Sequence, residues 1–221
     1  MTARNKFQIE LENLHTNLIK MGAMAEGAID KSVYALINQN RKAATAVIEE
    51  GDALNQMTGI IESTAFKIIL LQQPVASDLR TISAAIKIVT DIERIGKQAA
   101  DICYIVLHLC DEKYKAKLIV ISQMAELAKS MVNLCIDSFV RLDLETAQKV
   151  IEIDNEMDKL FAKVKESMID LIRSESPDYA DQAIYLIMVA KYFEKIGDHA
   201  ENIAEWVIFC KTGHHKNIKL I

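Results

Sequence analysis

Only two prolines and seven glycines interrupt 221 residues. Both residue types break regular structure, so their scarcity argues against a turn-rich β fold and for long helices. The four cysteines (Cys103, Cys110, Cys135 and Cys210) form no C-x-x-C pair, which excludes the usual zinc spacing and suggests no disulfide framework. They read as small apolar core residues in a reducing cytosol. Positive charge is not in excess either. The net charge of −5 gives no basic field for nucleic acid. The longest apolar run, Ala183 to Ala190, falls far short of a bilayer span. Met1 to Phe7 has no apolar core of a signal peptide, so none is expected. There is no G-x-x-x-x-G-K-[ST] loop and no G-x-G-x-x-G after a strand. No Ser/His/Asp or Cys/His set stands out.

What the chain does have is a duplication. Glu93-Arg94-Ile95-Gly96-Lys97-Gln98-Ala99-Ala100-Asp101-Ile102 returns as Glu194-Lys195-Ile196-Gly197-Asp198-His199-Ala200-Glu201-Asn202-Ile203, with five identities at an offset of 101. Upstream, Val47 to Asn55 matches Val150 to Asp158 at offset 103, and Ala28-Ile29-Asp30 matches Cys135-Ile136-Asp137 at offset 107. The only prolines, Pro74 and Pro177, sit just before the two copies of the first segment. Repetition on this scale means two copies of one supersecondary unit. The copies span about 5–110 and 113–211, dividing the chain into 1–110 and 111–221.

Each copy carries apolar residues at helical spacing. Ile88, Ile92, Ile95, Ala99, Ile102 and Val106 form one stripe, and Val189, Phe193, Ile196, Ala200, Ile203 and Val207 form its counterpart. Such stripes are the seams of packed helices. The pattern predicts six helices, roughly 5–39, 41–72, 76–110, 113–142, 144–174 and 178–211. Ser77-Asp78 and Ser176-Pro177-Asp178 are candidate helix starts. Short connections make sequential helices antiparallel. The predicted fold is all-α: two tandem three-helix antiparallel bundles. Gly96 and Gly197 fall mid-helix, where glycine costs about 1 kcal/mol relative to alanine. Either both serve close helix packing, or both are an inherited accident.

The candidate chemistry is carboxylate. Glu194 and Asp198 lie one helical turn apart, as do Asp154 and Asp158 on the preceding helix. If the helices are neighbours, four acidic groups converge, and hard oxygen ligands of this kind suit Mg, Mn or Fe. The competing reading is a solvated face. The chain has 31 acidic residues, and pairs such as Glu152/Glu156 and Glu201/Glu205 arise by chance. At 100° per residue, Glu194 and Asp198 also point away from the apolar seam, toward an expected outer face. The first copy has Gly51, Asn55, Glu93 and Lys97 at the matching positions. Lys97 can pair with Glu93 and puts a fixed positive charge where a cation would sit. Any metal therefore belongs to the C-terminal half. Only one E-x-x-H occurs, Glu12 to His15, whereas di-iron bundles use two. It reads as chance, His214-His215 reads as tail, and His199 is expected to face a different side of its helix from Asp198.

The doubled segment resembles the signature of the PhoU family of phosphate-uptake regulators, an acidic motif of Glu or Asp, three residues and Asp in each of two three-helix repeats. Glu194 to Glu205 fits that motif nearly throughout, and the resemblance covers essentially the whole chain. It implies a cytoplasmic, all-helical protein that is not an enzyme. Such a protein restrains phosphate import and phosphate-regulon signalling by contacting the phosphate ABC transporter ATPase and the phosphate-sensing histidine kinase, and meets the membrane only through partners. It also implies paired acidic motifs that bind iron or another hard cation. Carried over residue by residue, the metal ligands are Asp154, Asp158, Glu194 and Asp198, with the first copy departing at Gly51, Asn55 and Lys97. A homodimer is compatible with the resemblance. A ferritin-like metal protein and a metal-free helical adaptor are the alternatives.

Overall fold

The computed structural model describes residues 3–174, 179–216 and 218–220. Six helices account for nearly all of them: α1 (Ala3–Ile37), α2 (Arg41–Gln72), α3 (Ala76–Leu109), α4 (Ile119–Arg141), α5 (Leu144–Ser174) and α6 (Ala180–Thr212). The seams at Ile88 to Val106 and Val189 to Val207 are buried throughout. Local chemistry sets the breaks. Before α2, Gln39 takes a left-handed φ of 49° and the Asn40 side chain accepts from the Ala43 amide at 3.0 Å. Between α2 and α3, Gln73 is left-handed (φ 45°) and Pro74 follows, unable to continue the helix. Asp143 opens α5 by accepting from the Glu145 and Thr146 amides. The predicted start at Ser176-Pro177-Asp178 lies outside the described residues.

Each half is a three-helix bundle, and the halves share one core. α1 packs on α3, α3 on α6, α6 on α4 and α4 on α1, a closed ring of four helices. Among the described residues α2 touches only α1 and α3, and α5 only α4 and α6. α3 and α6 run antiparallel across the join. Arg80 Nε donates to the Cys210 carbonyl at 3.2 Å, Asp91 Oδ1 lies 2.9 Å from His199 Nδ1, and the His108 ring stacks on Tyr185 at 5.5 Å. α1 and α4 do the same through Lys129 and Asp30 at 2.7 Å and the edge-on rings of His15 and Phe139.

Three details differ from the sequence-based expectation. The fourth helix begins at Ile119, not near 113. Residues before it dock instead: Gln182 of α6 accepts from the Lys115 amide at 2.8 Å and donates to the Lys113 carbonyl, while Tyr114 donates to the Leu36 carbonyl at 3.0 Å. The tail at His214-His215 is not free. It forms β1 (His214–His215), paired antiparallel with β2 (Ile218–Lys219) after a left-handed Gly213 (φ 73°). The His215 ring stacks on Trp206 of α6 at 3.9 Å. Finally, α4 has the length and apolar composition of a membrane span, although polar residues interrupt it. Met124, Ala128, Val132, Cys135 and Phe139 on one side of it are buried in the core, where α4 packs on α1, α5 and α6.

Candidate functional site

The four predicted carboxylates are brought into one neighbourhood along the α5–α6 contact, and Gly197 explains how. A Cβ there would lie 3.1 Å from Asp154 Oδ1 and 3.3 Å from Met157 Cγ. Glycine lets α5 settle onto α6, with Asp154 over the turn that carries Glu194 and Asp198. Gly96 has the same use in the first half, where a Cβ would meet Leu54 Cδ1 at 2.2 Å. Leu54 and Met157 occupy matching positions at offset 103. Of the two readings of the repeated glycines, close packing holds.

The expected outer face for Glu194 and Asp198 is not what forms. The Glu194 side chain is only 12% exposed, and that of Asp198 34%. A helical wheel places both away from the seam, but α6 has α3, α4 and α5 around it. The side of α6 opposite its seam is therefore covered by α5. Lysines answer part of the buried charge. Lys191 Nζ lies 2.5 Å from Glu194 Oε1, and Lys195 pairs with Asp198. Two oxygens are left over. Asp154 Oδ1 and Glu194 Oε2 are buried without a hydrogen-bond partner, the nearest ammonium to Glu194 Oε2 standing 3.6 Å away on Lys195. Burial, reinforced by the charges of Glu201, Asp198, Asp158 and Glu194, pushes the Asp154 carboxyl up to about 7. The same crowding, burial first, raises Glu201, although Lys216 pulls it back down. Glu201 is a member of the cluster that sequence reasoning set aside as a chance pair. Its signal was present: it continues the Glu194/Asp198 row one turn further along α6.

Among the described residues no three Asp, Glu, His or Cys side chains stand close enough together to hold an ion. The donor set is nevertheless of the right chemistry for a hard divalent cation. It is all oxygen, it has two buried carboxylate oxygens with no hydrogen-bond partner, and burial together with four neighbouring carboxylates raises the Asp154 carboxyl. Holding a cation requires the Lys195 ammonium to swing away from Asp198. The first half is different in kind. Gly51 and Asn55 supply no charge, and Lys97 pairs with Glu93. Burial raises the Glu93 carboxyl, but bonds from Lys97 and Thr58 outweigh it and the net shift is downward. A groove of about 350 Å³ beside Gly51, Asn55, Glu93 and Lys97 marks where the second copy places Asp154 and Asp158. This degenerate half does not fit a cation.

The other candidates resolve into packing. His199 faces α3 and pairs with Asp91, away from Asp198. His15 packs edge-on against Phe139, its pKa lowered by burial against a smaller opposing effect of Glu12. The cysteines are all free; burial raises Cys103 and Cys210 to about 12, so neither is a reactive thiolate.

A family model described as the PhoU domain matches residues 18–106 and again 121–207, once in each half. The chain belongs to the PhoU family. A curated relative from Clostridium acetobutylicum, named phosphate-specific transport system accessory protein PhoU homolog, is 35% identical over 95% of this chain and 96% of its own. The crystal structure of PhoU from Pseudomonas aeruginosa superposes with a TM-score of 0.89 at 32% identity, covering 94% of this chain and all of that one. The phosphate transport system regulatory protein PhoU from Streptococcus pneumoniae gives 0.87 at 25% identity, over 96% of this chain and all of its own. In this PhoU chain the acidic motif is complete only in the second copy.

Proposed function

We propose that this chain is a cytoplasmic negative regulator of high-affinity phosphate uptake and phosphate-regulon signalling. It acts by contact with the phosphate ABC transporter ATPase and the phosphate-sensing histidine kinase, and not by catalysis. The observation that carries this is the near full-length match, in both halves, to relatives named as accessory to phosphate-specific transport. The ferritin-like reading has no such support: in the single Glu12/His15 pair the His15 ring packs edge-on against Phe139. Within this function the C-terminal cluster is the cation site. Asp154, Asp158, Glu194 and Asp198 take one iron, magnesium or manganese ion, which offsets the like charges crowded around Asp154. The test is a binding assay with the purified chain on immobilised transporter ATPase and, separately, on the kinase. Saturable binding to at least one is expected. Binding to neither would remove the regulatory reading and leave the helical adaptor.

A further inference from the structure

One end of the molecule is apolar for no reason of folding. It is the tip where α2 turns into α3. Leu70 is 77% exposed, Leu71 67% and Val75 66%, and Phe66, one turn back on the Leu70 face, is 52% exposed. None of these side chains is needed to close a core. The duplication supplies an internal control. At offset 103 the second copy has Arg173 and Ser174 in place of Leu70 and Leu71. One ancestral turn has therefore become apolar in one copy and polar in the other, within the same fold.

The same end is basic, on a chain whose net charge is −5. Lys67 is exposed on α2, at i−3 from Leu70 and i−4 from Leu71, and so shares their side of the helix. α1 begins alongside: Gln72 donates to Glu10 at 3.4 Å, and the exposed Lys6 lies one turn further toward the tip. α6 ends here too, since Arg80 reaches the Cys210 carbonyl, and it brings the exposed Lys211 and, on β2, Lys219. Among the described residues none of these four lysines has a carboxylate partner. Glu10, which faces α2 at this end, accepts from Gln72.

We propose that this tip docks directly on an anionic lipid bilayer, with Leu70, Leu71 and Val75 entering the interface and Lys6, Lys67, Lys211 and Lys219 facing the headgroups. Membrane binding needs two weak signals together, an apolar insertion and a cationic surround, and both are present. A second copy of the chain fits less well. Four side chains expose on the order of a few hundred Å², well short of the about 800 Å² that each partner buries in a stable interface. The contact is therefore weak, reversible and salt-sensitive. It holds the regulator at the surface where a transporter would be met, yet needs no protein partner.

The test is sedimentation of the full chain with vesicles of phosphatidylcholine alone and of phosphatidylcholine with phosphatidylglycerol. Binding is expected to the anionic vesicles and to fall as salt rises. Leu70→Ser with Leu71→Ser should lower the partition by about tenfold or more, and Lys67→Glu with Lys211→Glu by roughly tenfold or more. All four positions are exposed, so far-ultraviolet circular dichroism should be unchanged in both variants. The proposal is overturned if the chain stays in the supernatant with both vesicle types, or if the double serine variant sediments like the parent. It is also overturned if light scattering shows a dimer that the double serine variant converts to monomer, since a second copy would then cover the tip.

Discussion

At the scale of the residue, Asp154 carries the most consequence. Its folded pKa is raised from 3.8 to about 7, by burial first and then by four neighbouring carboxylates. The folded chain therefore holds a proton that the unfolded chain releases, and stability falls as pH rises through that window, levelling above about 7. Asp154 is only half-buried, so after solvent screening the loss is on the order of 1 kcal/mol. Asp154→Asn should flatten the slope and raise the melting temperature at alkaline pH; an unchanged slope would contradict the assignment. The glycines give a second residue-level prediction. Gly96→Ala forces Leu54 aside and should destabilise by about 1–2 kcal/mol, because overpacking outweighs the gain in helix propensity. Gly27→Ala, with open space beside it, should stabilise by about 0.5–1 kcal/mol. Urea unfolding of the two variants separates these outcomes.

At the scale of the element, the C-terminal hairpin reports on itself. Trp206 is the only tryptophan, and it lies against His215, whose Nε2 is buried without a partner. Burial lowers the His215 pKa from 6.5, more than Glu205 and Asp91 raise it. The docked ring favours the neutral form, so docking is stable above the ordinary histidine range and is lost as pH falls through and below it. Trp206 emission should change in that acid range, and His215→Phe should abolish the change; a pH-independent parent spectrum would refute the docking. The hairpin was not legible in the sequence, because two-residue strands carry no period. Nor was the late start of α4, which depends on Gln182 from 67 residues away. The six helices were legible because their seams repeat at 3.6 residues and occur twice. The burial of Glu194 was not, since a helical wheel contains one helix and the cover comes from another.

At the scale of the whole molecule, two copies of one bundle share a ring of four helices and have divided their labour. The first copy neutralises its remaining carboxylate internally through Lys97, and presents an apolar, basic tip. The second keeps its carboxylates crowded and partly unsatisfied. Manganese or magnesium should therefore raise the melting temperature at alkaline pH, and Asp154→Asn with Asp198→Asn should abolish the increase. Lys97→Met should leave it intact; a response lost with Lys97 would place the cation in the wrong half. The duplication and the motif made the family and the candidate carboxylates legible, and Glu201 could have been read from the same row of α6, whereas the pairing of Lys191 with Glu194 and of Lys195 with Asp198 emerged only with packing. The most direct measurement of what the molecule does is phosphate import in phosphate-rich medium by cells deleted for the gene and by the same cells carrying it on a plasmid. Import should be inappropriately high without the protein and return to a low rate with it. Import that stays low in the deleted cells would contradict the account.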